Sequence, residues 1–192
     1  MTRIGLIKLS AAAVALVAAR ATVSRALQPH EPHRRGAWRQ RSTVVTIPPL
    51  MAREHEALHE QLAAAISAGG RTGAAARDVE ARLAPHFEEE NRFALPPLGV
   101  LPRLAREGAS EDMRPAIEMA RHVEQNLDRF VEEHASITQA LGELEAAAEA
   151  EGNAEALSFV GEVRAHAQEE EELLYPTTIL IGRYLKRELT DR

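Results

Sequence analysis

The sequence predicts an all-α protein, an up-down-up-down four-helix bundle built from two helix-pair repeats. Apolar residues recur at steps of three and four from Pro48 onward, which is the period of an amphipathic helix. Alanine, leucine, glutamate and arginine are frequent, whereas runs of strand-forming residues are nearly absent after Ile47. Four helical stretches joined by short connections pack most simply as antiparallel neighbours.

The four helices are predicted within residues 48–188. Phe93 on the second helix and Thr177 on the fourth fall on the core-facing stripes. Pro85 removes a backbone donor, so it should kink or split the second helix just before His86. Proline in a first turn and glycine after a last turn are typical helix boundaries. The first helix is predicted from Pro48-Pro49 to Gly69-Gly70, and the second from about 74 to 94. The third is predicted from Ser110 or Asp112 to Gly152, and the fourth from about 155 to beyond Tyr175.

The composition excludes several kinds of site. The chain has no cysteine, which excludes disulfides, iron–sulfur clusters and thiolate zinc sites, so any metal must use nitrogen and oxygen ligands. Residues 1–45 carry eight basic residues and one acid, Glu31, for a net charge of +7. Because the whole chain carries −6, residues 46–192 carry −13. An acidic bundle lacks the positive surface that nucleic acid requires, and we expect no nucleic-acid partner.

Residues 1–47 are predicted to form an N-terminal extension. Residues 1–21 combine a basic start, an apolar stretch and the tripeptide Ala19-Arg20-Ala21, which are features of a signal peptide or targeting segment. The rest is a basic linker with several prolines. No stable membrane span is expected, because a span needs about 20 uninterrupted apolar residues. We expect a cytoplasmic protein, with export to the periplasm as the alternative if residues 1–21 are a signal peptide.

The two halves of the chain resemble each other. Glu54-His55 and Glu133-His134 are each followed by apolar residues at offsets of three and seven from the histidine. His86 follows His55 by 31 residues, and His166 follows His134 by 32. His86 and His166 each have a glutamate four residues on and a proline ten residues on. Agreement at this many positions indicates a duplicated helix pair.

Six histidines and glutamates of this repeat fall on stripes that otherwise carry leucine, valine and isoleucine. A carboxylate or imidazole buried without partners is strongly destabilising, so a compensating group is required. A structural zinc site needs only four ligands, and six in two equivalent sets therefore predict two metal ions. The predicted ligands are His55, His86, Glu90, His134, His166 and Glu170.

The donor set favours iron, with manganese as the alternative, because nitrogen and oxygen ligands are mixed on inward-facing bundle helices. Two divalent ions outweigh the charge of two glutamates and leave room for an oxide or hydroxide bridge. If both glutamates bridge the ions, each ion has two histidines, two carboxylate oxygens and a solvent bridge. The sixth position would then be open to dioxygen, nitric oxide, peroxide or water.

Residues 48–185 resemble the hemerythrin-like family, also called the HHE cation-binding domain. The resemblance rests on three phrases and implies a non-haem di-iron centre in a four-helix bundle, with the six predicted ligands at matching positions. The phrases are Glu54-His55-Glu56-Ala57-Leu58, His86-Phe87-Glu88-Glu89-Glu90, and His166-Ala167-Gln168-Glu169-Glu170 through Tyr175-Pro176.

One departure from the family matters for function. Oxygen-carrying hemerythrins have a fifth histidine from a His-x-x-x-His pair on the third helix. Here the residues four positions before and after His134 are Phe130 and Thr138. The set resembles instead the four-His, two-Glu centres of di-iron proteins that respond to nitric oxide and repair iron–sulfur clusters. Those proteins usually carry a cysteine-containing N-terminal segment, and the repair activity is not transferred to a chain without cysteine.

Several other polar residues have two interpretations. His59, four residues after His55, is either a fifth ligand or a flank histidine bonded to a nearby glutamate. His122 lies one residue off the apolar stripe, and we expect it to be solvated. Four acidic residues are expected on the surface, where some could orient a ligating imidazole through its other nitrogen. These are Glu89, Glu169, Glu171 and Glu172.

The predicted function is that of a non-haem di-iron protein that binds dioxygen or nitric oxide for sensing, stress response or iron handling. One alternative is a redox enzyme at the same centre, for peroxide reduction, nitric oxide reduction or Fe(II) oxidation. A second alternative is a metal-free interaction bundle. A ligand-binding role is favoured over an enzymatic one.

Overall fold

The structure is a computed structural model and describes residues 44–190. All regular structure in this range is helical, which confirms the all-α class. None of the described helices is long and apolar enough to cross a membrane. The predicted targeting segment 1–21 and most of the linker lie outside the described residues. The helices are α1 (Pro49–Ser67), α2 (Gly70–Glu89), α3 (Leu101–Glu107), α4 (Pro115–Gln125), α5 (Leu127–Glu151), α6 (Ala154–Glu169) and α7 (Tyr175–Thr190).

Four of these helices pack in a ring around a shared interior. Helix α1 contacts α2 and α6, and α5 contacts the same two helices. The connections from α1 to α2 and from α5 to α6 are only two residues long, Ala68-Gly69 and Gly152-Asn153. The interior is aliphatic with two phenylalanines, Phe87 and Phe159. The described chain is therefore a helical bundle, and the up-down-up-down order remains a prediction.

A second apolar cluster lies where α4 packs against α7. The two helices approach closely at Gly182, where an added Cβ would lie 2.3 Å from the Cβ of Ala120. Val44, Val45 and Ile47 are partly buried against this cluster. The last residues of the predicted extension thus lie on the bundle.

The single long third helix predicted from the sequence is wrong, because the chain forms α4 and α5 instead. The break is at Asn126, whose φ of −117° and ψ of 15° are not helical. Its side-chain amide donates to the carbonyl oxygen of His122 at 2.8 Å. Asparagine competes in this way with the hydrogen bonds of a helix backbone.

Helix α2 continues through Pro85 to Glu89, so the predicted split before His86 does not occur. The irregularity comes later, in a π-helical turn over Glu90–Ala94, and a second π-helical turn spans Glu170–Leu174. Each π turn begins at a predicted ligand glutamate, and the second residue after each turn is a proline, Pro96 or Pro176. Proline cannot donate to the helix ladder, which favours an irregular turn before it. Isolated π turns of this kind are frequent at functional sites.

The extra residue in each π turn moves the buried stripe by one position. Phe93 and Thr177 were predicted on the stripes but are only partly buried, whereas Ala94 and Thr178 are buried. The Thr178 hydroxyl donates to the Ala94 carbonyl oxygen at 2.7 Å. The first π turn is thereby joined directly to α7.

Candidate metal centre

The six predicted ligand side chains converge in the interior of the bundle. Four different helices supply the imidazoles, and the two π turns begin with the carboxylates. None of the six residues is more than 5% exposed. The residues are His55 on α1, His86 on α2, His134 on α5, His166 on α6, and the two glutamates Glu90 and Glu170.

The imidazoles form two pairs, and each pair contains one histidine from the first repeat and one from the second. The Nε2 atoms of His55 and His166 lie 3.1 Å apart, and those of His86 and His134 lie 2.8 Å apart. Each pair, together with one oxygen from Glu90 and one from Glu170, forms a set of four donor atoms within 4.8 Å of one another. The structure thus contains two donor sets that share both glutamates.

Each glutamate presents its two oxygens to different histidine pairs. Glu90 Oε1 lies 3.4 Å from His86 Nε2, and Glu90 Oε2 lies 3.8 Å from His55 Nε2. Glu170 Oε1 lies 3.0 Å from His166 Nε2, and Glu170 Oε2 lies 3.4 Å from His134 Nε2. Each glutamate thus offers one oxygen to each histidine pair.

The carboxylate oxygens lack the partners that a metal-free core would require. Glu90 Oε2 and both oxygens of Glu170 are buried and accept no hydrogen bond of good geometry within residues 44–190, although imidazole nitrogens lie 3.0 to 3.8 Å away. Buried carboxylates without partners are costly, and buried charges normally pair or coordinate metals. The donors therefore fit a pair of metal ions better than a metal-free polar core.

Excess negative charge at the centre raises the pKa of two of the imidazoles. Burial lowers the pKa of His86, but hydrogen bonds to Glu90 and Glu133 outweigh it and raise the pKa to about 9. Burial likewise lowers the pKa of His166, and Glu170 outweighs it to raise the pKa to about 9. Burial and the Glu170 charge raise the pKa of the Glu90 carboxyl. Bound cations would replace protons here, since ligands must be deprotonated to coordinate.

Three of the four imidazoles donate from Nδ1 to a carboxylate at the edge of the centre. Such bonds fix the orientation of the ring and leave Nε2 free for a metal. The pairs are His86 with Glu133 at 2.8 Å, His134 with Glu171 at 2.8 Å, and His166 with Glu54 at 3.2 Å.

The sequence pointed to Glu171 for this role, but not to Glu54 or Glu133. A signal for both was present, because each directly precedes a predicted ligand in the repeat, as Glu54-His55 and Glu133-His134. Glu169 and Glu172 are exposed, as expected.

His55 is held differently from the other three histidines. Its Nδ1 is buried, and within the described residues it has no hydrogen-bond partner. The ring stacks instead on Phe87, with centroids 4.1 Å apart and planes 14° from parallel.

Tyr175 is a site residue that sequence reasoning missed. Its hydroxyl donates to Glu90 Oε1 and lies 3.3 Å from His134 Nε2. Burial and the nearby glutamates raise the pKa of Tyr175 well above its usual range, so the hydroxyl keeps its proton. The register shift of the π turn hid this residue, because an unbroken helix would not place Tyr175 on the buried face.

His59 lies apart from both donor sets. Its side chain is exposed, and its ring meets the Phe87 ring edge-on with centroids 5.2 Å apart. The structure therefore does not bring this predicted fifth histidine together with the other six residues.

His122 is partly buried rather than solvated as predicted. Its Nε2 lies 2.6 Å from Glu89 Oε1, and its ring stacks on Phe93. Glu89 also bonds Arg129, which in turn donates to Glu133 at 2.5 Å. A chain of ion pairs therefore runs from the surface to the carboxylate behind His86.

Comparison of the chain with known protein families, characterised proteins and solved structures finds no match. The class of protein is consequently defined by the fold and the site alone. It is a helical protein with a buried cluster of histidines and glutamates that could hold metal ions.

Proposed function

We propose that this protein is a non-haem di-iron protein of the hemerythrin-like type that binds a small ligand, dioxygen or nitric oxide. The observation that carries the proposal is the pair of donor sets sharing Glu90 and Glu170. A single-ion site would have no use for the second histidine pair. Two buried carboxylates with one oxygen toward each pair fit two ions held side by side.

Iron is favoured over manganese because half of the donors in each set are imidazoles, which suit iron, while manganese prefers oxygen ligands. Bound iron would supply coordination positions open to a small ligand and a reversible change of oxidation state.

The side chains around the donors orient them and exclude solvent. Phe87 and Phe130 are buried against the imidazoles, with Phe130 edge-on to His86 at 5.8 Å between centroids. The carboxylates of Glu54, Glu133 and Glu171 fix three of the rings. The aromatic rings beside the imidazoles provide apolar contacts that suit a small uncharged guest such as a diatomic gas.

The direct test is an anaerobic titration of the metal-free protein with Fe(II), followed by addition of oxygen and monitored by ultraviolet–visible absorption. We expect two irons per chain and an absorption change when oxygen is added. Less than one iron per chain would overturn the proposal.

Matched histidine variants sharpen this test. Alanine at both His86 and His166 removes one imidazole from each donor set and should abolish stable iron binding. His59→Ala removes an exposed histidine outside both sets and should leave iron content unchanged. Unchanged iron in the double variant would count against the assigned centre, and iron loss in His59→Ala would make His59 a ligand.

Redox turnover at the same centre is a second candidate function, favoured by the buried Tyr175 hydroxyl beside Glu90. This hydroxyl lies 3.3 Å from a donor nitrogen, and as a hydrogen-bond donor it would stabilise negative charge on a reduced ligand. Removal of oxygen distinguishes the two functions. A spectrum that reverses indicates ligand binding, and irreversible oxidation with repeated turnover indicates an enzyme.

A metal-free interaction bundle is tested by chelation. A protein that is stabilised by bound metal should lose thermal stability when the metal is removed. An equal melting temperature with and without chelator would favour the metal-free bundle.

A further inference from the structure

The two donor sets are supported unequally. In the set of His86 and His134, both outer nitrogens donate to carboxylates at 2.8 Å. In the set of His55 and His166, the only such bond is the longer one from His166 at 3.2 Å. No group within residues 44–190 accepts from Nδ1 of His55.

The sequence difference behind this inequality lies at one position of the repeat. Glu171 is the first residue after Glu170 in its π turn, and its carboxylate accepts from His134. Asn91 is the first residue after Glu90 in the other π turn. His55 corresponds to His134 in the repeat, so Asn91 occupies the position from which Glu171 accepts in the other half. Asn91 and His55 line the same cavity.

Two surface cavities border this half of the centre. A cavity of ≈ 670 Å³ is lined by His55, His59 and Asn91, and a second cavity of ≈ 230 Å³ is lined by Glu54 and His166. The larger cavity lies beside α1 and the first π turn, and the smaller one lies between α1 and α6.

In the other half, aromatic rings and carboxylates together hold both imidazoles. His134 stacks on the buried ring of Tyr175, and the edge of Phe130 closes over His86. Behind His86, Glu133 is itself held by Arg129. An ion in this half is therefore fixed by rings whose orientation is determined on both sides.

We propose that the two metal positions differ in lability, and that the position of His55 and His166 is the exchangeable one because Asn91 replaces a carboxylate. This inference rests on the proposed dinuclear centre. A carboxylate behind a ligating imidazole typically changes metal affinity by about 10- to 100-fold. The exchangeable ion is accordingly the one that leaves first and that the cavity beside His55 exposes to ligands from solvent.

The test is the release of iron from the full chain loaded anaerobically with Fe(II), after addition of excess colorimetric Fe(II) chelator. We expect two phases of equal amplitude whose rates differ by about tenfold or more. Release in a single phase would overturn the inference but leave the proposed function intact. Failure to load two irons would instead count against the proposed function.

Reciprocal variants connect the phases to Asn91. Asn91→Glu gives His55 an acceptor and should slow the fast phase by about tenfold, toward the rate of the slow one. Glu171→Asn removes the acceptor of His134 and should speed the slow phase toward the fast one. An unchanged fast phase in Asn91→Glu would contradict the inference, and the reciprocal variant keeps the test decisive if Asn91→Glu does not fold.

Arg92→Gln is the matched control. It makes the same change of one negative unit at the next residue, where the exposed guanidinium lies over the Phe93 ring. Its release phases should match those of the unmodified chain. A slower fast phase in Arg92→Gln would mean that overall charge, and not an acceptor for His55, sets the rate.

Discussion

The two helix-pair repeats share the residues that place the metal donors and differ in the residues around them. Both contain the two histidines, the glutamate that opens a π turn, and the proline that follows the turn. Asn91 in the first repeat corresponds to Glu171 in the second, and Leu95 corresponds to Tyr175. The duplicated pattern thus places the candidate donors, whereas the substitutions make the surroundings of the two donor sets unequal.

The largest effect is expected from the residues that both donor sets share. Glu90→Gln or Glu170→Gln weakens a donor at both positions, so each variant should fall well below one iron per chain. His55→Ala removes a donor from a single set and should keep about one iron, since the other set stays complete. Iron content after desalting measures both. Equal losses in Glu90→Gln and His55→Ala would break the assignment of Glu90 as shared.

A smaller effect is expected at Tyr175, which has no polar counterpart in the first repeat. Tyr175→Phe removes a hydrogen bond to a buried carboxylate, a bond worth about 1.5 to 3 kcal/mol. Iron affinity should fall by about tenfold, because Glu90 is then less well oriented. Competitive titration against a chelator measures the change.

Tyr184→Phe is the control for Tyr175→Phe. Tyr184 is the only other tyrosine in the chain, and it is partly buried on α7. Its substitution should leave iron affinity unchanged. Equal losses of affinity in the two variants would show that the Tyr175 hydroxyl has no special role.

The part of the centre that follows from helical periodicity could be predicted from the sequence. His86 and Glu90, one turn apart on an apolar stripe, needed only the repeat and the cost of burying charge. The π turns were not predicted, although the prolines that follow them, Pro96 and Pro176, were a signal of irregular helix. Tyr175 was missed for this reason, as was the move of the buried position from Thr177 to Thr178.

Local sequence patterns also could not predict the helix break or the carboxylates that accept from the outer nitrogens of the imidazoles. Asn126 interrupts an apolar stripe that continues on both sides, so the periodicity gave no sign of it. Glu54 and Glu133 acquire a role only because their partners, His166 and His86, come from the opposite repeat.

Replacing each of two glycines by alanine should change the free energy of unfolding in opposite directions. Gly182→Ala places a Cβ against Ala120 where α7 crosses α4 and should destabilise the fold by about 1 to 3 kcal/mol. Gly161→Ala meets nothing within 4 Å, and the first repeat already has alanine, Ala81, at the corresponding position. It should stabilise α6 by about 0.5 to 1 kcal/mol. Chemical denaturation of the metal-free protein measures both, and a loss in Gly161→Ala would contradict this packing.

The second helix of each repeat begins in a different way. Helix α6 has its own cap, since the Asn153 side chain accepts from the backbone N–H of Ala156. Helix α2 begins at Gly70 without a side-chain cap and uses Glu151 of the other repeat. The Glu151 carboxylate accepts from Arg71 N at 2.8 Å and from Thr72 N at 3.0 Å.

This difference predicts that the stability contributed at the start of α2 depends on pH, whereas that at the start of α6 does not. Hydrogen bonds from the Thr72 hydroxyl and from the backbone of Thr72 and Arg71 lower the pKa of Glu151 from 4.5 to about 2. A lowered pKa means that Glu151 stabilises the fold fully above its ordinary pKa and loses this contribution as the pH falls toward 2. Glu151→Gln should therefore lower Tm at pH 7, with a difference that shrinks in acid.

Asn153→Ala is the neutral comparison for Glu151→Gln. Loss of an uncharged cap typically costs about 1 kcal/mol, and the cost should be the same at both pH values. Thermal melts of the metal-free variants at pH 7 and near pH 3 separate the two behaviours. If the loss in Glu151→Gln also stayed constant with pH, the carboxylate would act at α2 through shape and not through charge.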